Sequence, residues 1–500
     1  MASPLNVAVV HYHLKPGGVT RVAENTEAAF RKAGMHHRLA VLAGPPTTDT
    51  RLRNTCEVPA LAYAAPENTP DPRQLLADLR AAARKSLGTD PDLWHIHNHS
   101  LGKNTALTGA VQQLARSGEA VLLHIHDFAE EGRPDNYHTL RQSPDLLDRA
   151  YPLDGRVAYA VLNGRDYHLL QKAGIPKDRI HSLPNSVHAD PPDEAPPFQS
   201  WMADLGTFSE LILYPVRATR RKNFGEFLLW AALLQREPGR FGMERPVLVN
   251  TLGPTNPGFE PTWKEWRDFA RAHELPVRLG IAAEVDVQFE QVVAAASALI
   301  TTSVAEGFGL AFLEPWLFKK PLVGRDLPPI TRDFKDAGIE LHTLYDRFPV
   351  PIEWIGGTQN LRDHLRPALQ RAFQDYGLDL TEKDFQEALD GFLGDDPSTV
   401  DFGRLDEALQ RDVLRRVVRG EEEAAQLLSN LPDSLPSAQQ IEHNARITRE
   451  AFSHQAYARK LDSIYRGILE RSGSTGEFLS PQAVLKAFIS PADFNLLRAS

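Results

Sequence analysis

The chain has 500 residues, 42% hydrophobic and 24% charged, which is too long for one ordinary core and has the composition of a soluble globular protein of two or more domains. Its 55 basic and 65 acidic residues leave a formal charge of −10, which argues against a general nucleic-acid binder. The single cysteine, Cys56, excludes an intramolecular disulfide and a cysteine-based zinc site. The longest apolar runs, typified by Phe227–Leu234 and Val292–Ile300, fall far short of a membrane span, and no basic segment precedes a long apolar one at the N-terminus. The expectation is a cytoplasmic protein.

Asn6–Val10 has the pattern of a short buried strand and leads into His11-Tyr-His13-Leu-Lys-Pro-Gly17-Gly18. Val19, Val22, Ala23, Thr26, Ala29, Phe30 and Ala33 then fall on one helical stripe that Gly34 closes. Strand, glycine loop and helix open a βαβ unit, but Gly17-Gly18 lacks the three spaced glycines of a dinucleotide site, so a nicotinamide cofactor is poorly supported. Further strands are expected at Arg38–Ala43, Leu93–His97, Val121–His126, Val157–Leu162 and Ile180–Leu183, with helices such as Pro72–Ser86, Lys103–Ser117 and Arg165–Ala173 among them. That alternation predicts a parallel sheet covered on both faces, with ligands bound beyond the carboxyl ends of its strands.

His-x-His recurs at three of those ends: His11/His13, His95/His97 (with His99 beyond) and His124/His126. A period of two places each pair on one face of its strand. Imidazole suits zinc, iron or copper, yet no carboxylate or cysteine stands at a recognisable metal spacing, so polar, crevice-lining histidines are the preferred reading and no metal ligand is assigned. Asp127-Phe-Ala-Glu130-Glu131-Gly-Arg133 reads as a polar loop. The prolines at 191, 192, 196 and 197 mark an inter-domain linker.

The alternation then restarts. Leu211–Val216 is a strand that ends in Arg217-Ala-Thr-Arg220-Arg221-Lys222-Asn223, before a helix at Phe224–Leu234. A guanidinium fork beside an ammonium suits a diphosphate. Pro246–Thr251, Pro276–Gly280, Ala298–Thr302 and Pro321–Gly324 continue the strand series. After Ala298–Thr302 comes Glu306-Gly-Phe-Gly-Leu-Ala-Phe-Leu-Glu314, which reads as a glycine turn and an amphipathic helix carrying Glu314, its N-terminal amides open to an anion and its carboxylates to sugar or ribose hydroxyls. Residues 377–437 are acidic and helical in period, with no strand expected; Ile441–Leu469 reads as one long helix and Pro481–Ile489 as a last short one.

Taken together, Gly17-Gly18, His126 in His-Asp-Phe, Asn185 after Pro184, Arg217 with Lys222, and Glu306 through Glu314 resemble the retaining glycosyltransferases of the two-domain GT-B fold, family 4, the glycogen-synthase-like and sucrose-synthase-like enzymes. The resemblance implies an α/β architecture of two Rossmann-like doubly wound domains facing a central crevice that closes on substrate. Residues 1–190 would be the acceptor-side domain, 191–205 the linker and 206–440 the donor-side domain, elaborated at 377–437. Residues 441–500 would form helices that cross back to the first domain.

It also implies roles. Arg217 and Lys222 would hold the donor diphosphate. Glu306 would face the transferred sugar, with the amides of Gly307, Phe308, Gly309 and Leu310 nearby. Glu314 would accept from the ribose, and His126 would sit beside the reacting sugar. Gly17, Gly18 and Asn185 would bind the donor, the glycine loop approaching its phosphates or the acceptor. The implied reaction is retaining transfer of a hexose from a nucleoside-diphosphate sugar, with a UDP- or GDP-sugar favoured over an ADP-sugar, to a hydroxyl acceptor. It requires no further cofactor; Mg2+ is compatible but not implied, and no nucleic-acid or membrane partner is expected. The alternatives are a GT-B phosphorylase, a nucleotide-sugar epimerase, or a non-catalytic sugar-nucleotide-binding protein. The acidic segment 377–437 and the run His95-x-His97-x-His99 depart from the family pattern.

Overall fold

The computed structural model describes residues 3–47, 50–192, 194, 197–202, 207–473 and 476–499. Of the linker expected at 191–205, positions 193, 195–196 and 203–205 lie outside the described residues. The chain forms two compact units: Met1–Ser186 with Asp375–Gly377 and Glu450–Ser490, and Val187–Gln374 with Leu378–Arg449 and Pro491–Ser500.

In the first unit the expected apolar runs become β1 (Asn6–His13), β2 (Arg38–Gly44), β4 (Leu93–His97), β5 (Val121–Ile125), β6 (Val157–Val161) and β7 (Ile180–Ser182), and a strand that no run announced, β3 (Thr55–Glu57), joins them. They form one seven-stranded sheet in the order β3-β2-β1-β4-β5-β6-β7, every pairing parallel. The two-residue period of the strands divides the core into two layers. Ala8, Val10, Tyr12, Trp94, Ile96, Leu123 and Ile125 pack on one face beneath the helices Pro72–Leu87, Thr105–Arg116 and Pro481–Phe488. Val7, Val9, Leu93, Leu122 and Ala158 pack on the other with Ala23, Ala29 and Phe30 of the helix Gly18–Lys32 and with Tyr457, Leu461, Ile464 and Tyr465 of the helix His454–Leu469. Both faces are therefore covered, as the near-continuous hydrophobicity of parallel strands requires.

The second unit repeats the plan with β8 (Glu210–Arg217), β9 (Pro246–Leu252), β10 (Val277–Leu279), β11 (Ala298–Thr301), β12 (Leu322–Arg325) and β13 (Leu344–Tyr345). Their order is β10-β9-β8-β11-β12-β13, again all parallel. The fold is thus the doubly wound pair of Rossmann-like sheets that the alternation required.

Three local expectations are corrected. The segment 377–437 holds a strand, β15 (Thr399–Asp401), which pairs antiparallel with β14 (Pro349–Pro351). It is too short to show a period of two in sequence. The long helix expected at Ile441–Leu469 is two helices, Ala438–Ala451 and His454–Leu469, because Ser453 caps the second through the Ala456 N–H at 3.2 Å. The break lies close to the point where the chain passes from the second unit to the first. Finally, no long helix follows Glu306. An eight-residue loop leads to a 3-10 turn, Leu310–Phe312, and a four-residue helix, Glu314–Leu317. Phe308, Phe312 and Trp316, four residues apart, mimic a helical stripe there, but Gly309 is left-handed at φ 92°, and a Cβ on it would lie 2.9 Å from Ile330 Cγ2. No described helix is long and apolar enough to cross a membrane.

Candidate functional site

β8 and β11 are neighbours in the second sheet, so the loops that leave their carboxyl ends lie side by side. β8 ends in an exposed Arg217, and after it come the 3-10 turn Arg220–Lys222 and Asn223, a non-glycine residue at φ 52°. Asparagine tolerates that left-handed conformation better than most residues. Its side chain also caps the helix Phe224–Arg236.

The two loops are joined by hydrogen bonds to backbone. The hydroxyl of Tyr214 donates to the Lys222 carbonyl at 3.1 Å and contacts Ser303 Oγ at 2.7 Å. Thr302 Oγ1 donates to the carbonyls of Lys222 at 2.9 Å and Asn223 at 3.2 Å. The Val304 N–H donates to the Arg221 carbonyl at 2.9 Å. On this frame the Lys222 ammonium donates to the Glu306 carboxylate, the two side chains being 11% and 10% exposed. Burial works to raise the Glu306 carboxyl, but the Lys222 and Arg221 charges outweigh it and hold it below the usual carboxylate value.

Of the four cations expected together, two are already paired: Lys222 with Glu306, and Arg220 with Glu407 at 2.8 Å. Arg217 and Arg221 are exposed. Glu314 opens its short helix and is half-buried, so the carboxylates of the Glu306–Glu314 stretch occupy different surroundings. Gly307 has open space around it, since a Cβ there would meet nothing within 4 Å. The helix N-terminus expected as an anion site is replaced by the loop of Glu306–Gly309, because the helix beyond it is only four residues long.

In the first unit the histidines do gather. His11, His13, His95, His97, His124 and His126 share the sheet face that carries Val7, Val9, Leu93 and Leu122. His97 Nδ1 lies 2.8 Å from His126 Nε2. His95 Nε2 lies 3.1 Å from His124 Nδ1, and His95 Nδ1 lies 2.7 Å from the hydroxyl of Tyr465. His99 turns away to the carbonyl of Ala150 at 2.8 Å. Burial lowers every one of these imidazoles: His11 and His95 to about 3, His99 and His126 to about 4, and His97 and His124 well below the ordinary value. All are neutral at pH 7.

Donor atoms of His95, His97 and His124 come within 4.8 Å of one another. The His95 ring stacks on that of His124 at 5.3 Å between centroids and is tilted against that of His97 at 4.5 Å, and His95 and His124 also share the 3.1 Å hydrogen bond. Gly17 and Gly18 are exposed at the start of their helix, and a Cβ on Gly18 would meet nothing within 4 Å. Asn185 Oδ1, beyond β7, is buried without a hydrogen-bond partner among the described residues.

Sequence reasoning did not find Tyr214, Thr302 and Ser303, whose hydroxyls fasten the Lys222 loop. It also missed Glu407 and Gln410, which reach that loop from the acidic segment. Polar residues at or just after a buried strand were the only signal available for the first three.

Residues 16–190 match the family model for Glycosyltransferase Family 4. The mannosylglucosyl-3-phosphoglycerate synthase of Petrotoga mobilis is 26% identical over 369 residues, covering 69% of each chain. The crystal structure of Anabaena HepE with UDP-glucose superposes with a TM-score of 0.51 at 14% identity, over 92% of this chain and 98% of that one. The catalytic domain of Arabidopsis thaliana starch synthase IV, bound to ADP and acarbose, gives 0.50 at 12% identity, over 94% and 100%. These likenesses establish the GT-B fold.

Proposed function

We propose that this chain, a glycosyltransferase of the GT-B fold, moves a hexose from a nucleoside-diphosphate sugar to a hydroxyl of its acceptor with retention at the anomeric carbon. The observation that carries the reading is the Lys222–Glu306 pair, fixed between two adjacent parallel strand ends and flanked by the exposed guanidinium of Arg217. In an α/β sheet that is where a ligand binds. On donor binding, Lys222 and Arg217 hold the diphosphate. Glu306 accepts from hydroxyls of the sugar, and Glu314 from those of the ribose. The open Gly307 and the loop to Leu310 let the donor come close to backbone. Gly17, Gly18 and Asn185 are assigned to the donor, and the half-buried His126 to the reacting sugar.

In the reaction, the bond from the anomeric carbon to the diphosphate oxygen breaks and its electron pair stays on that oxygen. The acceptor oxygen forms the new bond on the same face, and its proton passes to the departing phosphate. No carboxylate acts as nucleophile: Glu306 is tied to Lys222, so the two-carboxylate arrangement of a retaining glycosidase has no counterpart in this reading. The pKa of His126, lowered to about 4, leaves it a neutral hydrogen-bonding group at working pH.

For the acceptor we infer a phosphate-bearing sugar acid, as in the name of the Petrotoga relative. Lys15, two residues past β1, and Lys103, six residues past β4, supply cations that suit it. The test is nucleoside-diphosphate release from UDP-, GDP- and ADP-hexoses with glucosyl-3-phosphoglycerate and with its dephosphorylated form. Release that needs the acceptor, and a kcat/KM that drops at least about tenfold without the phosphate, is expected from a lost charge-assisted contact. Turnover with sugar and phosphate alone overturns transfer. Indifference to the phosphate overturns the acceptor class.

A further inference from the structure

The acidic segment 377–437 has no counterpart in the family pattern, yet it reaches the donor loop at two adjoining points. Gln410, fully buried, donates through Nε2 to Asn223 Oδ1 at 2.9 Å and to the Phe402 carbonyl at 3.1 Å. Glu407, one helical turn earlier, accepts from Arg220 Nε at 2.8 Å. Arg220 and Asn223 bracket Lys222 in the chain. The fit is close: a Cβ on Gly225 would stand 2.1 Å from Gln410 Oε1.

The base of this contact is anchored as well. Arg325 is buried and bridges Glu226 at 2.7 Å and Asp401 of the same segment at 2.8 Å. Glu226 in turn accepts from Asn223 Nδ2 at 2.8 Å. Asn223 is therefore gripped on its oxygen by Gln410 and on its nitrogen by Glu226, in a left-handed conformation that few residues adopt unaided.

We propose that residues 377–437 are a positioning element for the donor site, in which Gln410, acting through Asn223, and Glu407, acting through Arg220, fix the backbone from which Lys222 meets the donor's diphosphate. The proposal rests on Lys222 having that role. Gln410 and Glu407 touch no substrate in it; they set where an ammonium stands. A displacement of about 1 Å at such a group costs up to about a hundredfold in rate, so the segment has leverage on turnover without supplying chemistry.

The test is a double-mutant cycle on the full chain, with Gln410→Met (same length, no donor), Lys222→Ala and the two combined. It reads binding of UDP and GDP by titration and kcat with the preferred donor. Gln410→Met is expected to weaken diphosphate binding about tenfold in the wild-type background and less than about twofold in the Lys222→Ala background, because its effect passes through Lys222. Glu407→Gln, which keeps shape and loses charge, should show the same dependence on Lys222 with a smaller effect, and it replaces Gln410→Met should that variant not fold. Equal losses in both backgrounds would mean that Gln410 is merely structural and would overturn the proposal. Wild-type diphosphate binding in both Gln410→Met and Glu407→Gln overturns it as well. If Lys222→Ala alone leaves diphosphate binding unchanged, the donor reading itself fails and takes the proposal with it.

Discussion

Lys222 and Glu306 meet through an ion pair although 84 residues separate them, because β8 and β11 are adjacent and the loops that follow are fastened carbonyl to hydroxyl. The pair is nearly buried, so it is a stability element as well as a candidate catalytic one. Breaking such a pair by removing one partner costs about 3–5 kcal/mol, mostly for the charge left behind. Lys222→Ala is expected to lower the melting temperature and, through lost stabilisation of the leaving diphosphate, to reduce kcat by roughly a hundred- to a thousandfold. Lys222→Met combined with Glu306→Leu should recover most of the melting temperature and none of the rate. Thermal unfolding and steady-state kinetics on the same samples separate the two effects; recovery of the rate in the double variant would refute a chemical role for the pair.

A second prediction concerns acid. His11, His95, His97, His99, His124 and His126 are all held neutral by burial, His11 and His95 at about 3, His99 and His126 at about 4, and His97 and His124 well below the ordinary imidazole value. The unfolded chain protonates these imidazoles near 6.5, so between that pH and the folded values it binds more protons than the native state. Their contribution is present above pH 6.5 and is lost as pH falls. Each is worth about 1.4 kcal/mol per pH unit in that window. Glu130 and Asp166, raised by burial to about 7, act in the opposite sense, since the native state holds their protons longer, but they are outnumbered. The first unit should therefore unfold first on acidification from pH 6.5 to 4.5. Melting curves across that range, followed by the fluorescence of Trp94, test it; a flat midpoint would remove the histidine cluster as its cause.

Arg325 supports a third prediction. Its guanidinium is fully engaged by Glu226 and Asp401, and those two charges hold it protonated against the cost of burial. Arg325→Met strands two buried carboxylates and should destabilise the second unit by about 3–5 kcal/mol. The exposed pair Arg366–Glu382 is the control, and Arg366→Ala should move the urea midpoint far less than Arg325→Met does. Urea midpoints of the two variants measure the contrast directly.

Most of the parallel strands were legible because buried parallel strands are unbroken apolar runs, and the histidine cluster was legible because a period of two puts His-x-His on one face. β3 and β15 each hold a single apolar residue, Cys56 and Val400, between polar ones, so no run marks them. The grip of Gln410 on Asn223 spans 187 residues, and neither residue has a local pattern that announces the other. The helix after Glu306 was misread for the opposite reason. A strong local pattern was present there, but the left-handed Gly309 interrupts it and the helix that starts at Glu314 stops after four residues. Local patterns thus found the strand ends where the candidate site is built, while long-range pairings determine how its side chains are held.

Two glycines on either side of this site should respond in opposite ways to the same substitution. Gly324 in β12 pairs with Thr301 in β11, and it sits at φ 112° with a virtual Cβ only 2.1 Å from the Thr301 carbonyl oxygen. Backbone cannot yield as a flexible side chain does, so Gly324→Ala must part the two strands where the Glu306 loop begins. Loss of soluble protein or a large drop in melting temperature is expected. Gly307→Ala meets nothing within 4 Å, so its melting temperature should match the wild type. If the donor passes against the Gly307 backbone, the added methyl will fill that space and raise the donor KM, with the acceptor KM unchanged. Kinetics of Gly307→Ala therefore probe the donor's path without disturbing the fold, and an unchanged donor KM would move that path away from Glu306.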